Sequence, residues 1–267
     1  MNGRRFNRLR LIQKQINERP RLREWLTRLL YGARDVDVML FKRKIRINAL
    51  RENGYYRAAR LAHANSLLRD ETLVMQRVSM MLGDGVTFVD IGANVGIFSS
   101  VIADARRLFR DFRVIAFEPD PATFARLAVN AERFGFEAIN VALAAETGEL
   151  EFATGAVSGI ATRRDKAGRA HIAARGFTVT ARRLDSFDLS GRLVIKIDVE
   201  HMEMDVLEGA RGLFEARQVA AVYLDEFDDK QAVLDFLSDY GFDLIAPARL
   251  KPFAPGRRAL FAIRRDG

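Results

Sequence analysis

The sequence predicts an α/β protein built on an open, mostly parallel β-sheet. From Val86 onward, apolar runs alternate with helical patterns; we expect strands at 86–91, 113–118, 138–142, 192–198 and 219–226, and helices at 95–108, 121–134 and 202–214. Continuously apolar strands separated by helices form parallel sheets covered on both faces. After a helix at 230–240, "FDLIAP" and "RRALFAIR" are joined by a Pro- and Gly-containing link, which predicts that the last strand runs antiparallel to the rest.

Composition limits the possible chemistry. The 267 residues are 49% hydrophobic and 29% charged, as is typical of a globular chain. The absence of cysteine excludes disulfides, iron–sulfur clusters, thiolate zinc sites and a cysteine nucleophile. No apolar run approaches the roughly 18 residues that span a bilayer, and the basic N-terminus lacks the apolar core of a secretory signal. We therefore expect a cytoplasmic protein.

Charge separates a basic N-terminal extension, residues 1–70, from an α/β domain, residues 71–267. The extension holds 18 Lys/Arg and 6 Asp/Glu. Helical spacing from Pro20 aligns apolar side chains at Leu22, Trp25, Leu26, Leu29 and Leu30; one or two short strands in "VDVMLFKRKIRIN" and a helical pattern over 55–82 follow. A basic amphipathic helix suits a membrane surface, here the inner membrane, or an anionic partner; a solvated arginine-rich extension is the plainer alternative.

The stretch "TFVDIGANVGIFSS" indicates a nucleotide-type site at a strand-to-helix turn. A dinucleotide fingerprint, counted from Gly92, requires glycine where Asn94 and Ile97 stand, so a pyrophosphate is disfavoured; the P-loop pattern is absent as well. Gly92 and Gly96 instead let the turn pass close to a ligand without a diphosphate. Asp90 and Asn94 can hold the turn and accept from an ammonium group.

The next two strands complete this cofactor prediction. One ends in "AFEPD", where the Glu118 carboxylate can accept both hydroxyls of a ribose, and "AINVAL" would pass the edge of an adenine. An amino acid, a ribose and an adenine together describe S-adenosylmethionine. We assign to its binding Asp90, Gly92, Ala93, Asn94, Gly96, Glu118, Pro119, Asn140 and Ala142.

The later motifs resemble one family. "VDIGANVG", "AFEPDP", "RRLDSF" and "IKIDVEHMEMDVLEGA", within roughly Leu82–Ile263, are similar to the FkbM family of S-adenosylmethionine-dependent methyltransferases. The resemblance implies a Rossmann-like class I sheet of seven strands and O-methylation of a hydroxyl on a sugar, a glycan or a secondary metabolite. The chain departs from the family at His201, where glycine is usual, and at Ala145, where aspartate is usual.

Two other functions stay open at this point. The basic N-terminus is compatible with an RNA ribose 2′-O-methyltransferase, and the fold can also serve as a non-catalytic binding module. Other nucleic-acid methylation is disfavoured, because the Asn/Asp-Pro-Pro-aromatic motif of adenine-N6 enzymes and the cysteine of pyrimidine-C5 enzymes are both absent. The oligomeric state is not predicted.

Candidate catalytic residues follow the fourth and fifth strands. Asp198 ends the fourth strand, Glu200 and His201 come next, and Lys196 shares the face of Asp198. Glu226, preferred to its neighbour Asp225, is expected at the same edge. A general base is useful because a sugar hydroxyl is a poor nucleophile near neutral pH. No metal-ligand spacing is visible, so we expect none; residues 149–181, with Ser158 and Gly159, are expected to form a substrate lid.

Overall fold

The structure is a computed structural model, and it describes residues 25, 28–29, 32–60, 65–154, 161–163, 175–225, 227–247, 251–253 and 259–265. Its first elements are β1 (Asp35–Leu40), β2 (Arg43–Asn48), α1 (Asn53–Arg60) and α2 (Asn65–Ser79). The predicted short strands are therefore confirmed, and they pair as an antiparallel hairpin. The predicted helix after Pro20 is described only at Trp25, Arg28 and Leu29, which are helical and exposed; its other positions lie outside the described residues.

The alternating part of the chain follows the predicted order. It comprises β3 (Val86–Ile91), α3 (Ile97–Ile102), β4 (Arg113–Phe117), α4 (Pro121–Phe134), β5 (Glu137–Ile139), β6 (Ala142–Leu143), β7 (Gly148–Thr154), β8 (Ala161–Arg163), β9 (Arg175–Arg182), β10 (Arg192–Ile197), α5 (Glu203–Gly209), α6 (Arg211–Glu215), β11 (Val219–Leu224), α7 (Lys230–Asp239), β12 (Phe242–Ala246), β13 (Lys251–Pro252) and β14 (Leu260–Arg264).

The main sheet has the predicted architecture. Among the described residues its strand order is β13-β12-β14-β11-β10-β3-β4-β5. The run from β11 to β5 is parallel, whereas β14 is antiparallel to both of its neighbours. Seven strands with an antiparallel last one are thus confirmed, and the two-residue β13 adds to the edge. Parallel strands end at one edge, which places the segments after β3, β4, β10 and β11 together.

The two faces of the sheet carry separate apolar layers. One face packs α5, α6 and α7 against the odd-numbered residues of β3, β4 and β10, such as Val89 and Ile195. The other face packs α2, α3 and the β1–β2 hairpin against the even-numbered residues of the same strands, such as Phe88 and Val194. Strand side chains alternate between faces, which explains this division. The hairpin is therefore part of the core next to the main sheet.

Three expected elements differ from those observed. The strand expected at 138–142 is split, because Asn140 turns the chain and Ala142–Leu143 pair with β9 instead. The helix expected at 202–214 breaks at Ala210, which has φ −103° and ψ 1°. The helix expected at 95–108 ends at Ile102 and continues as a 3₁₀ turn to Arg107.

The insertion forms its own sheet, of order β6-β9-β7-β8 among the described residues. Phe152 of β7 stacks on Phe177 of β9, with ring centroids 6.0 Å apart. Ser158 and Gly159 lie outside the described residues. Within the described part of the chain, no helix combines the length and apolar character needed to cross a membrane.

Candidate active site

A cavity of about 440 Å³ opens where the parallel strands end. Its walls include the turn after β3, the loop after β4, the segment around β6, and the residues that follow β10 and β11. The edge predicted to hold the ligand therefore carries a pocket. Helices α1 and α2 close another side of it, through Tyr55 and Glu71.

The turn after β3 requires glycine for a steric reason. Gly92 has φ +70°, and a Cβ placed on it would lie 2.0 Å from the backbone oxygen of Asp198. The N–H groups of Gly92 and Ala93 both donate to the Phe117 carbonyl, at 3.0 and 2.9 Å. Gly92 therefore allows the turn to pass between the ends of β4 and β10. Gly96 begins α3 with φ +76° and packs against Leu127, but it does not line the cavity.

Glu118 lies at the end of β4 with its carboxylate held by backbone donors. The N–H of Asn94 donates to one oxygen and the N–H of Asp120 to the other, each at 2.9 Å. Burial raises the pKa of Glu118 to about 8, with the charge of Asp120 adding to the effect. Each oxygen keeps a second lone pair, so the carboxylate can still accept a pair of hydroxyls.

The opposite wall is apolar. Val141, Ala142 and Leu143 line the cavity, as does Pro119. Asn140 does not: its amide donates to the carbonyls of Glu118 and Pro119, at 2.7 and 3.0 Å. The predicted contact between Asn140 and the cofactor therefore receives no support from its placement, which instead fixes the loop that carries Glu118.

These residues fit S-adenosylmethionine. Asn94 has φ +52°, lines the cavity, and its buried Oδ1 has no hydrogen-bond partner among the described residues. A buried acceptor without a donor is costly, so this oxygen suits a donor from a ligand. With the Glu118 carboxylate to accept from the ribose hydroxyls and Val141–Leu143 to pack against the adenine, these groups match the three parts of the cofactor. When bound, the cofactor supplies a transferable methyl group on a sulfonium.

A row of polar side chains crosses the sheet beside this pocket. Asp90, Lys196 and Tyr223 stand opposite one another on β3, β10 and β11. The Lys196 ammonium donates to Asp90 and to Asp198, both at 3.2 Å, and lies 4.8 Å from the centre of the Phe98 ring. Burial alone would lower the pKa of Lys196, but the neighbouring carboxylates outweigh it and raise that pKa well above the usual lysine value. Lys196 is therefore a permanent cation.

Asp90 lies behind this wall rather than in it. It is fully buried, accepts from Ser99 Oγ at 2.7 Å and from Lys196, and is absent from the described cavity lining. Its placement supports a positioning role, and a direct contact with the cofactor stays a prediction.

The expected catalytic carboxylates are only partly brought together. Asp198 and Glu200 line the cavity, as does Asp225, which accepts from Tyr223 Oη at 2.8 Å. Glu226 lies outside the described residues. His201 does not line the described cavity; its ring contacts Asp228, and this bond raises the pKa of His201. The His201 backbone has φ +63°, a conformation that favours glycine.

Tyr55 and Glu71 are among the cavity residues that the sequence did not predict. Tyr55 Oη donates to Glu71 Oε1 at 2.8 Å, and both side chains face the pocket from the segment assigned to the extension and its following helix. Burial raises the pKa of Glu71 to about 7. No sequence signal distinguishes Glu71 from other acidic residues in "RDETL", because its position depends on how α2 packs.

The strand order and this pocket together define a class I S-adenosylmethionine-dependent methyltransferase. A family model described as "Methyltransferase FkbM domain" matches residues 90–244. The match covers more than half of the chain, and the protein therefore belongs to the FkbM methyltransferase family, as the sequence motifs predicted.

Individual relatives are more distant. The hexuronic acid methyltransferase AglP of Haloferax volcanii is 25% identical over 179 residues, which cover 63% of this chain and 69% of AglP. A precorrin-6y C5,15-methyltransferase from Geobacter metallireducens is 14% identical, with a TM-score of 0.38, covering 72% of this chain and 86% of that one. The Pyrococcus abyssi tRNA (uracil-54, C5)-methyltransferase, in complex with S-adenosyl-L-homocysteine, is 10% identical, with a TM-score of 0.41, covering 87% and 44%.

Proposed function

We propose that this methyltransferase transfers a methyl group to a hydroxyl of a sugar within a glycan or glycoside. The observation that carries the proposal is a group of carboxylates that line the cavity near the Lys196 ammonium, beyond the cofactor residues: Glu71, Asp198, Glu200 and Asp225. Among the described residues Arg51 and Glu52 also line the cavity. Carboxylates accept hydrogen bonds from several hydroxyls at once, which suits a sugar. The name of AglP supports the same class of acceptor.

The charge of this wall also bears on which oxygen reacts. A hexuronic acid offers hydroxyls and a carboxylate, and a carboxylate acceptor would have to approach several groups of its own charge. Like charges in a poorly solvated site repel, so a neutral hydroxyl is favoured at the reacting position. The acid group of a uronic sugar would then lie away from Asp198 and Asp225.

In this proposal the predicted residues have separate tasks. Glu118 and Asn94 hold the cofactor, with the backbone of Gly92 and Ala93 beneath it. Lys196 fixes Asp198, whose exposed face orients the acceptor, and Glu200 adds a second contact. Such positioning can contribute about 7–11 kcal/mol to lowering the barrier in ideal cases.

The test compares two glycosides that differ only in the carboxylate. Purified protein is incubated with methyl-tritiated S-adenosylmethionine and either 4-nitrophenyl β-D-glucoside or 4-nitrophenyl β-D-glucuronide, and label in the separated sugar is counted. We expect labelled product that survives mild alkali, because an ether is stable where an ester is cleaved. Cofactor binding by calorimetry without label in either sugar would contradict the proposal, and alkali-labile label would contradict the choice of a hydroxyl.

We also propose that the basic N-terminal segment makes peripheral contact with an anionic membrane. Trp25 and Leu29 are helical and 57% and 65% exposed, in a segment rich in arginine. Aromatic and aliphatic side chains beside cations suit the membrane interface. In a flotation assay at low salt, we expect phosphatidylglycerol vesicles to recover more of the wild-type protein than of W25A/L29A in the floating fraction. Equal recovery of the wild-type protein with neutral vesicles would count against this contact.

A further inference from the structure

The side chain of Glu71 occupies a position that the family motifs do not describe. It projects from α2 into the same cavity as Lys196 and Asp198, outside the 90–244 segment that matches the family model. In the described part of the chain, its hydrogen-bond donor is Tyr55, which binds Oε1. The other oxygen is therefore available to a molecule in the pocket.

We propose that Glu71 is the general base that takes the proton from the acceptor hydroxyl. This inference rests on the proposed function, because a carboxylate acceptor would carry no proton to remove. In the step, the acceptor oxygen forms a bond to the methyl carbon while the carbon–sulfur bond breaks and its electron pair stays on sulfur. The hydroxyl proton passes to Glu71, which later releases it to solvent.

The electrostatic surroundings suit this task. Tyr55 of α1 and Lys196 of β10 both face Glu71. Asp198 and Asp225, which follow β10 and β11, lie near it as well. Among the described residues, Tyr223 of β11 and Asp90 of β3 also interact with this group of side chains, and Arg51, Glu52 and Glu200 line the same cavity. Burial raises the pKa of Glu71 to about 7, whereas Lys196 and the Tyr55 hydroxyl restrain the rise. A carboxylate that gains its proton near neutral pH is a more effective base than an ordinary one.

Asp198 is less suited to the same role. Its Oδ2 is engaged by the Lys196 ammonium at 3.2 Å, and the side chain is half exposed. An oxygen that already accepts from an ammonium has one lone pair fewer for the proton of an acceptor hydroxyl. Asp198 is thus the better group for orienting the acceptor, and Glu71 the better one for receiving its proton.

The first test is Glu71→Gln, which keeps an oxygen for the Tyr55 hydroxyl but cannot take a proton. We expect kcat to fall about 100- to 10,000-fold, the usual contribution of a general base, with the Kd for S-adenosylmethionine within about twofold of wild type. Glu132→Gln removes one charge from the exposed side of α4 and should leave kcat unchanged. A Glu71→Gln kcat within threefold of wild type would overturn the proposal.

The pH profile separates a base from a structural residue. For wild type, kcat/KM should decrease as pH falls below about 7, because protonated Glu71 cannot accept a proton. Tyr55→Phe removes a hydrogen bond that lowers the pKa of Glu71, so in this variant the limb should move to higher pH. An unmoved limb in Tyr55→Phe, or one that persists in Glu71→Gln, would contradict the assignment.

A measurement without turnover distinguishes this inference from the proposed function. Carboxyl-labelled glutamate and ¹³C NMR, with Glu71→Gln for assignment, report the titration of Glu71 directly in the full-length protein. Titration near 7 supports the base, whereas titration at the ordinary glutamate value of 4.5 refutes it even if no sugar has been methylated. Absence of turnover with both glycosides refutes the proposed function instead.

Discussion

Gly92→Ala tests the geometry on which the cofactor site depends. The added Cβ would lie 2.0 Å from the Asp198 backbone oxygen, whereas ordinary carbon–oxygen contacts lie at about 3.3–3.6 Å. The turn and the end of β10 must therefore separate by more than about 1 Å, and a shift of that size can cost about 100-fold in rate. Because both groups are backbone, rotating a side chain cannot relieve the contact.

Gly241→Ala is the matched control. Gly241 has φ +78° and its added Cβ meets nothing within 4 Å, so it carries the same conformational penalty without the collision. A left-handed alanine costs about 1–2 kcal/mol, which corresponds to a Tm lower by about 2–8 °C at this chain length.

Calorimetry with S-adenosylmethionine and thermal melting measure the two effects separately. We expect Gly241→Ala to lose stability alone, and Gly92→Ala to lose both stability and at least about tenfold in cofactor affinity, with kcat/KM down about 100-fold. Equal cofactor affinity in the two variants would show that the close approach of Gly92 to Asp198 does not shape the site.

Three further predictions concern the buried charges. Above pH 8, where Glu118 is ionised, Glu118→Gln should weaken S-adenosylmethionine binding about 10- to 150-fold by calorimetry, since a hydrogen bond to a charged acceptor contributes about 1.5–3 kcal/mol. Because the pKa of Glu118 is raised, the folded state keeps a proton between pH 4.5 and about 8 that the unfolded state has released. The free energy of unfolding without cofactor should therefore fall as pH rises through that range, and it should fall less in Glu118→Gln. Urea denaturation at both ends of the range measures the difference. Lys196→Met leaves Asp90 buried without its cation and should cost about 3–5 kcal/mol of stability, most of it recovered in Lys196→Met/Asp90→Asn; an unchanged melting temperature in the single variant would contradict the pairing.

The parts of the site that sequence could predict are those that follow strands. Gly92, Glu118 and Asp198 each come directly after an apolar run, and parallel strands bring such positions to one edge whatever the details of packing. The directions of the strands could be predicted for the same reason, because alternation and a terminal hairpin are local patterns, whereas the number of seven came from the resemblance to the FkbM family.

Contacts between the helices and the sheet could not be predicted from such local patterns. Glu71 reaches the pocket only because α2 lies over the face of the sheet that carries Lys196. Neither the rotation nor the placement of α2 can be predicted from the residues of α2 alone. The two hydrogen bonds of the Asn140 amide to the carbonyls of Glu118 and Pro119 could not be predicted for a related reason, because they depend on the path of the loop after β4; a contact of Asn140 with the cofactor stays a prediction.

The segment before the family match forms ion pairs with the loop after β4 and with α4. Arg51 pairs with Asp120 at 2.7 Å, close in the chain to Glu118. Glu52 pairs with Arg126 at 2.7 Å, and the side chains of Glu52 and Arg126 are almost completely buried. A buried ion pair leaves an expensive uncompensated charge when one member is removed. The loop after β4, which is predicted to hold the cofactor's ribose, therefore depends on residues far upstream of it in the chain. The same segment contributes Tyr55, so that the predicted ribose site and the proposed base share one support.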